Sequence, residues 1–303
     1  MKTRLLLSFI LILCTGSLAV AEVRLPAVIG SHMVLQRDTH VPLWGWADPG
    51  QKITVRGQWQ WYDAVAWADK HGRWSVQLPT PRAGGPYTIT IEGPNRIVLE
   101  DVLIGEVWVC SGQSNMQWPT SAALNGAEEV AAANYPNIRL FNVTRKVAET
   151  PMDDCQGTWT PCSPQTVGEF SAVAYFFGRE LHKELNIPIG LIGSAWGGTP
   201  AEAWTRREVL ESDDEFRPIV ERYNQACARF DEAMAEYRKR VEEWKKAAEQ
   251  ADAEGKPRPG YPGAPYGPGH PHAPAGLYNA MICLLYTSPS PRDRTRSRMP
   301  SSA

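Results

Sequence analysis

The chain of 303 residues is long enough for about two globular units, since domains average roughly 150 residues. Apolar residues make up 43% of it and charged residues 21%, and the formal net charge is -2. These values are typical of an ordinary folded protein. They exclude a disordered chain, a collagen and a highly basic nucleic-acid-binding protein.

The first 21 residues have the pattern of a cleaved export signal. Lys2 and Arg4 precede the apolar run 5–13, and residues 19–21 read A-V-A, the small residues of a cleavage site. The apolar run is too short to span a bilayer. We therefore expect a signal peptide at 1–21 and a secreted or periplasmic protein.

The last 21 residues differ in character from the rest. Residues 283–293 can be back-translated, codon for codon, into DNA that resembles a transposase sequencing adapter. We therefore expect 283–303 to be a non-native tail. Without residues 1–21 and 283–303, the chain has 25 basic and 32 acidic residues. This excess of negative charge disfavours a polyanionic partner such as nucleic acid.

From residue 22 to about residue 100, apolar and polar residues alternate as they do in β-strands. Strands predicted at 52–56, 73–78 and 87–92 are separated by turn-forming Pro and Gly. The pattern predicts a small antiparallel β-sandwich domain over 22–100. Six of the twelve tryptophans lie in it and are either core residues or stacking platforms for sugar rings: Trp44, Trp46, Trp59, Trp61, Trp67 and Trp74.

From residue 101, apolar strands alternate with helices. Strands are predicted at 106–110, 137–143 and 189–192, and an amphipathic helix is predicted over 169–186. This order predicts an α/β domain with a mainly parallel sheet. The active site of such a domain lies at the carboxyl ends of the strands.

Two further segments interrupt the α/β part. Residues 212–256 carry apolar residues in steps of three and four, which predicts one long helix or a pair, inserted on the α/β body or used for oligomerisation. Residues 257–276 are rich in Pro and Gly and are predicted to form a loop. Within that loop, His270 and His272 are either incidental or part of a metal site with no evident third ligand. No cofactor is expected.

Four cysteines lie between the two ends. In an exported protein, Cys155 and Cys162 are close enough in sequence to bridge a loop, and the alternative is two free thiols. Cys227 lies in the predicted helical segment. Cys110 alternates with Trp108 in an apolar strand and is predicted to be a buried structural thiol rather than a nucleophile.

The segment 105–119 is the most informative one for chemistry. A buried strand ends at Ser111-Gly112, and Ser114 follows on a predicted tight turn at the rim of the sheet. A hydroxyl presented to solvent on such a turn has the geometry of a nucleophile. From these residues alone, Ser114 is either a nucleophile or a helix cap or turn residue.

Residues 112–115 read G-Q-S-N and resemble the first block of SGNH hydrolases, and with its surroundings this block is similar to that of the sialate O-acetylesterase family. Similar stretches lie at 31–37, 170–181, 190–204 and 277–282. The resemblance thus spans about 25–282. It implies an SGNH-type three-layer α/β/α domain, incomplete over 101–282, that removes O-acetyl groups from sialic acid or related sugars.

The resemblance also implies roles for residues of the site. Ser114 is expected to be the nucleophile. The backbone N–H groups of Ser114 and of Gly197 or Gly198 are expected to bind the oxyanion, which needs several donors. The alternative for the two glycines is a simple strand-to-helix turn.

Four more residues are expected beside the substrate. Gln113 and Asn115 are expected to brace the serine turn there. Glu202 and Trp204, just beyond the glycines, are expected to line the pocket. Their structural alternatives are a charge at the start of a helix for Glu202 and packing for Trp204.

A serine nucleophile needs a general base, usually a histidine oriented by a carboxylate. In the family this histidine comes late in the chain, shortly after an aspartate, and a G-E-S-N-like block precedes the pair. Neither occurs in this sequence, and none of the six histidines matches that position. We therefore expect this polypeptide to have little or no esterase activity.

Two other functions stay open at this point. The same apparatus could act on acetyl xylan or another polysaccharide, or the tryptophan-rich part could bind carbohydrate without catalysis. The expected partner is in each case a sugar, O-acetylated for the two esterases. Neither nucleic acid nor insertion into a membrane is expected.

Overall fold

A computed structural model describes residues 22–285. The predicted signal peptide and residues 286–303 of the predicted tail lie outside the described residues. The strands are β1 (Val34–Gln36), β2 (His40–Trp46), β3 (Lys52–Gly57), β4 (Ala64–Trp67), β5 (Arg73–Pro79), β6 (Gly84–Glu92), β7 (Arg96–Gly112), β8 (Tyr135–Asn142), β9 (Trp159–Cys162) and β10 (Ile189–Ala195).

The helices account for most of the remaining regular structure. They are α1 (Ser114–Gln117), α2 (Gly126–Ala132), α3 (Ala172–Leu185), α4 (Arg207–Ser212), α5 (Arg217–Ala228) and α6 (Phe230–Ala253), with short helical turns at Thr120–Ala122, Ala201–Trp204, Tyr278–Ile282 and Cys283–Leu285. No helix within residues 22–285 is long and apolar enough to cross a membrane.

One mixed sheet organises the part of the chain that the structure describes. Its strand order is β4-β3-β6-β7-β10-β8-β9, and β1 pairs with β7. The strands β7, β10 and β8 are parallel neighbours, while β3, β4 and β6 pair antiparallel. The predicted α/β class is confirmed, and its parallel strands are those predicted from residue 101 onward.

The structure does not confirm a β-sandwich that stands apart from the α/β part. Locally, the two-stranded sheet of β2 and β5 does share one apolar core with β3 and β6. However, β3, β4 and β6 belong to the same sheet as β8 and β10, because all of them connect through β7. The predicted boundary at residue 100 falls inside β7, whose apolar run through Val102, Leu103 and Ile104 is buried and continuous.

The parallel strands carry a core on each face. On one face, Ile189 and Leu191 of β10 pack with Cys110 and with the buried side of α3. On the other face, Ile192 packs in the larger core that includes Met281 and other apolar residues of 277–285. Strand alternation places consecutive side chains on opposite faces, so the central strands are buried on both sides.

Helix α3 and the inserted helices agree with the sequence pattern. The Ser171 hydroxyl caps α3 by accepting from the N–H of Ala174 (3.2 Å), and Asn186 ends it with a φ of 52°, as expected of a left-handed C-cap. The helical segment is a pair, α5 and α6, rather than one long helix. The predicted loop 257–276 contains no strand, and no helix before its last residue.

The disulfide alternative for Cys155 and Cys162 is wrong. Both are buried free thiols. Cys155 packs in the core that contains Ile192, whereas Cys162 packs with α3 on the other face of the sheet. The sheet therefore separates the two side chains that sequence proximity brings together.

Candidate active site

The site lies where the parallel strands end. In the sheet register, Gly112 at the end of β7 is opposite Ala195 at the end of β10, and the N–H of Trp196 donates to the carbonyl of Gly112 (3.1 Å). Ser114 follows β7, and Gly197-Gly198 follow β10. Residues from two distant parts of the chain thus meet at the carboxyl edge of the sheet, which is the predicted location.

The Ser114 hydroxyl is exposed and held by two neighbours. It donates to the side-chain oxygen of Gln113 (2.6 Å), which also accepts from the backbone N–H of Ser114 (2.8 Å). The N–H of Gly198 donates to the Ser114 oxygen (3.3 Å). These contacts fix the direction of the hydroxyl. A carboxamide oxygen orients a hydroxyl but is too weak a base to remove its proton.

The two glycines suit this turn for different reasons. Gly198 has a φ of 74°, in the left-handed region that only glycine adopts freely. A side-chain carbon at Gly197 would lie 3.4 Å from the Ser114 oxygen and 3.0 Å from the side-chain oxygen of Gln117. Glycine therefore allows the second loop to approach the serine closely.

The three expected oxyanion donors differ in what they contact. Only the N–H of Gly198 points at the Ser114 oxygen. The N–H of Ser114 donates to Gln113, and the N–H of Gly197 donates to the side-chain oxygen of Gln117. Either glutamine has to turn away before the N–H that it occupies can bind a substrate oxygen.

Gln117 is a residue that the sequence analysis missed. It lies three residues after Ser114 in α1, and residues at this spacing share a helix face. That spacing was the available signal. Its partner at Gly197 is 80 positions away, and only the pairing of β7 with β10 brings it near.

The structure places the other expected residues at the margin of the site. Asn115 is exposed in α1. The indole N–H of Trp204 donates to the Thr199 hydroxyl (2.9 Å), and the backbone carbonyl of Glu202 accepts from the N–H of Ala275 (2.9 Å). Glu202 and Trp204 therefore close the loop after Gly198, and neither lines the two clefts described next.

Two adjoining clefts open near this edge of the sheet, and the first of them borders the serine turn. The first, of about 380 Å³, lies between α1 and the ends of β8 and β10; the second has a volume of about 350 Å³. Thr144 and Arg145 line both of them. These two residues were not among the predicted site residues, although their place directly after a predicted strand indicated the carboxyl edge of the sheet.

The structure confirms that Cys110 is a buried thiol. Its side chain is 6% exposed, and burial raises the pKa of the thiol to about 12. The thiolate, which is the nucleophilic form, is therefore absent near neutral pH. Of the two adjacent candidates, only Ser114 presents its reactive atom to solvent.

No histidine within residues 22–285 is hydrogen-bonded to Ser114. A histidine-carboxylate pair does occur, since His32 Nδ1 lies 2.7 Å from Asp101 Oδ2. Asp101, however, lies in the first half of β7, whereas Ser114 follows the end of that strand. The described residues also contain no group of three or more metal-ligating side chains, His270 and His272 included.

The chain is similar to known esterases over most of the described part. A family model described as carbohydrate esterase, sialic acid-specific acetylesterase, matches residues 104–247. Sialate O-acetylesterases from Rattus norvegicus and Homo sapiens are 35% identical to the chain over 208 residues, which is 62% of this chain. Over this region the chain resembles the sialate O-acetylesterase family. Ser114 and Gly197-Gly198 lie within the matched region.

The match covers only part of each relative. It includes 38% of the rat enzyme and 40% of the human one, so the chain spans about two fifths of the length of the curated relatives that it matches. A solved carbohydrate acetylesterase from Xanthomonas citri has a TM-score of 0.66 and 31% identity, covering 88% of this chain and 49% of that one. The family resemblance stated from the G-Q-S-N block is confirmed.

Proposed function

We propose that the protein is a serine esterase that hydrolyses O-acetyl esters of sugars, with sialic acids as its substrate class. One observation carries the proposal: the Ser114 hydroxyl is exposed at the carboxyl edge of the sheet and contacts the Gly198 N–H. The match to the family model and the names of the relatives support it. We also propose that residues 1–21 direct export of the protein.

In the proposed reaction, the Ser114 oxygen attacks the acetyl carbonyl carbon. The carbonyl oxygen gains negative charge, which the N–H of Gly198 stabilises, together with the N–H of Ser114 or Gly197 once its glutamine has moved. Expulsion of the sugar hydroxyl leaves an acetyl-serine, and water then releases acetate. Both steps need a base stronger than the Gln113 amide oxygen.

The test uses the 303-residue chain with added imidazole as an external base. We expect slow acetate release or none from O-acetylated sialic acid, and an increase with imidazole above the level of the Ser114→Ala variant. Ser121→Ala, which removes another exposed hydroxyl, serves as the matched control and keeps the increase. Equal release by Ser114→Ala and the unchanged chain would contradict the nucleophile assignment.

The amount of acetate released without imidazole tests a separate point. Rapid release by the unchanged chain would contradict the expectation that Ser114 lacks its base. Comparing O-acetylated sialic acid with acetyl xylan then tests the substrate class, because a polysaccharide esterase would prefer the latter.

Exposed indole rings favour carbohydrate binding as a second candidate function. Trp74 is 2% exposed and belongs to the core, but Trp61 is 90% exposed and Trp67 62%. Indole faces pack well against the C–H faces of sugar rings. If this function dominates, Trp61→Ala and Trp67→Ala reduce retention of the protein on immobilised glycan, while Ser114→Ala does not. Unchanged retention in both tryptophan variants would exclude the candidate.

A further inference from the structure

Arg145 lies at the point where the two clefts meet. It follows β8 by three residues, and the chain stays beside β10 there because the N–H of Val143 donates to the carbonyl of Gly193 (2.9 Å). Neighbouring strands are about 4.8 Å apart, so β8 lies about 10 Å from β7, which leads to Ser114. The Arg145 side chain is therefore placed for a substrate group several bonds away from the ester.

The positive charge at this junction lacks an ion-pair partner in the part of the chain that the structure describes. Arg145 and the adjacent Lys146 are both exposed, and neither has an ion-pair partner within residues 22–285. The acidic residue of the second cleft is already engaged, because Asp154 contacts Arg24 (3.6 Å) and accepts from the N–H of Ala27 (3.0 Å). Glu169 lines the first cleft without pairing with Arg145.

The chemistry of the two cations differs. A guanidinium presents parallel N–H donors that match the two oxygens of a carboxylate, whereas an ammonium acts as a point charge. Arg145 lines both clefts, but Lys146 lines only the second. The arginine is thus both nearer to the serine turn and better suited to a planar anion.

We infer that Arg145 binds the carboxylate of an acidic sugar whose acetyl ester lies at Ser114. The inference rests on the proposed function, and it gives that function a residue that distinguishes acidic from neutral sugars. Lys146 adds attraction at longer range. Neutral acetylated sugars lack the anion and gain nothing from Arg145.

Binding without turnover tests the inference independently of catalysis. The full chain is titrated with N-acetylneuraminic acid and, separately, with its methyl ester, and binding is followed by NMR. We expect Arg145→Gln to bind the acid about tenfold more weakly and Arg145→Lys to show a smaller loss. Binding of the methyl ester is expected to be weak and equal in all variants.

The matched control is Arg82→Gln, which removes an exposed arginine that lines neither cleft and is expected to leave binding unchanged. Equal binding of the acid by Arg145→Gln and the unchanged chain would overturn the inference, as would equal binding of acid and methyl ester by the unchanged chain. Weaker acid binding by Arg145→Gln, in a chain whose acetate release does not increase with imidazole, would instead count against the proposed function and leave the anion subsite standing. Acetate release that increases with imidazole, together with unchanged acid binding by Arg145→Gln, would support the proposed function and overturn the inference.

Discussion

Three cysteines lie in apolar surroundings that keep them protonated. Burial raises the pKa values of Cys110, Cys155 and Cys162 to about 12, and the nearby carboxylate of Asp154 adds to the effect at Cys155. Reaction with an alkylating reagent requires the thiolate and access to it. In the folded chain these three side chains are neither ionised near neutral pH nor accessible to the reagent.

We therefore expect iodoacetamide at pH 8 to label these three thiols slowly in the native protein and rapidly after unfolding in denaturant. The labelled positions are read by peptide mass spectrometry. Cys227, which is half-buried, provides the internal comparison and reacts first. Fast native labelling of Cys162, or a melting temperature lowered by a reducing agent, would contradict the structure at this point.

The residues of the site differ in how far sequence could predict their positions. Ser114 and Gly197-Gly198 belong to local motifs that follow apolar strands, so their place at the carboxyl edge could be derived. The contact of Gln117 with Gly197 and the position of Arg145 at the cleft junction depend on strand order. Strand order is set by pairing between distant segments, which local pattern does not contain.

At the scale of elements, the long helix and the Pro-rich segment form one unit. Pro recurs at every third position from Pro259 to Pro274, which is the period of a polyproline helix. Proline has no N–H to donate, but its carbonyl can accept. The indole N–H of Trp244 donates to the carbonyl of Pro259 (2.8 Å), and the Trp244 and Tyr261 rings are 4.8 Å apart.

The apolar stripe of the helical segment was predictable from its spacing, but its partner was not. A Pro- and Gly-rich composition predicts an absence of strand and helix without indicating where the segment packs. The Tyr223 hydroxyl donates to the carbonyl of Gly267 (3.2 Å), so the loop also contacts α5. The loop therefore packs on part of the apolar stripe of the helical segment.

Replacing Trp244 tests this packing. We expect Trp244→Ala to loosen the loop and to raise the rate of chymotrypsin cleavage after Tyr266 about fivefold, since cleavage follows local opening. Trp61→Ala, which removes an indole that is 90% exposed and packs on Tyr62, is the control. Equal cleavage rates in the two variants would show that the loop is held by other contacts.

At the scale of the whole molecule, one buried arginine of β8 connects that strand to Asp101 of β7 and to His32 before β1. Arg139 of β8 donates to both carboxylate oxygens of Asp101 (2.7 and 3.0 Å) and to the backbone carbonyl of His32 (3.2 Å). Hydrogen bonds from Arg139 lower the pKa of Asp101 below its ordinary value, and His32 contributes in the same direction, although partial burial opposes them.

The sign of this shift gives a pH dependence. Because the folded-state pKa of Asp101 is lowered from 3.8, its contribution to stability is present above that value and is lost as pH falls through the folded pKa. We expect Asp101→Asn to lower the free energy of unfolding at pH 7 by about 2 kcal/mol, because Arg139 stays buried without its counter-charge.

Denaturant titrations of both proteins at several pH values measure this difference, which should shrink toward pH 3. Glu92→Gln, which removes an exposed ion-pair partner of Arg96, is the control and should change stability little at either pH. A difference that is independent of pH would contradict the assigned role of the Asp101 carboxylate.

The unbroken course of β7 leads from the N-terminal strands to the serine turn, and it has a consequence for how the protein exchanges hydrogen with solvent. The amides of Val107–Cys110 lie in a paired strand packed on both faces, and such amides open only with the whole structure. Those of α1, a four-residue helix with no buried residue, open locally. In deuterated water, label therefore enters the Ser114 turn early and the strand before it last. Ser114 thus lies on the boundary between a slowly exchanging strand and a rapidly exchanging turn, anchored on one side and free to adjust on the other.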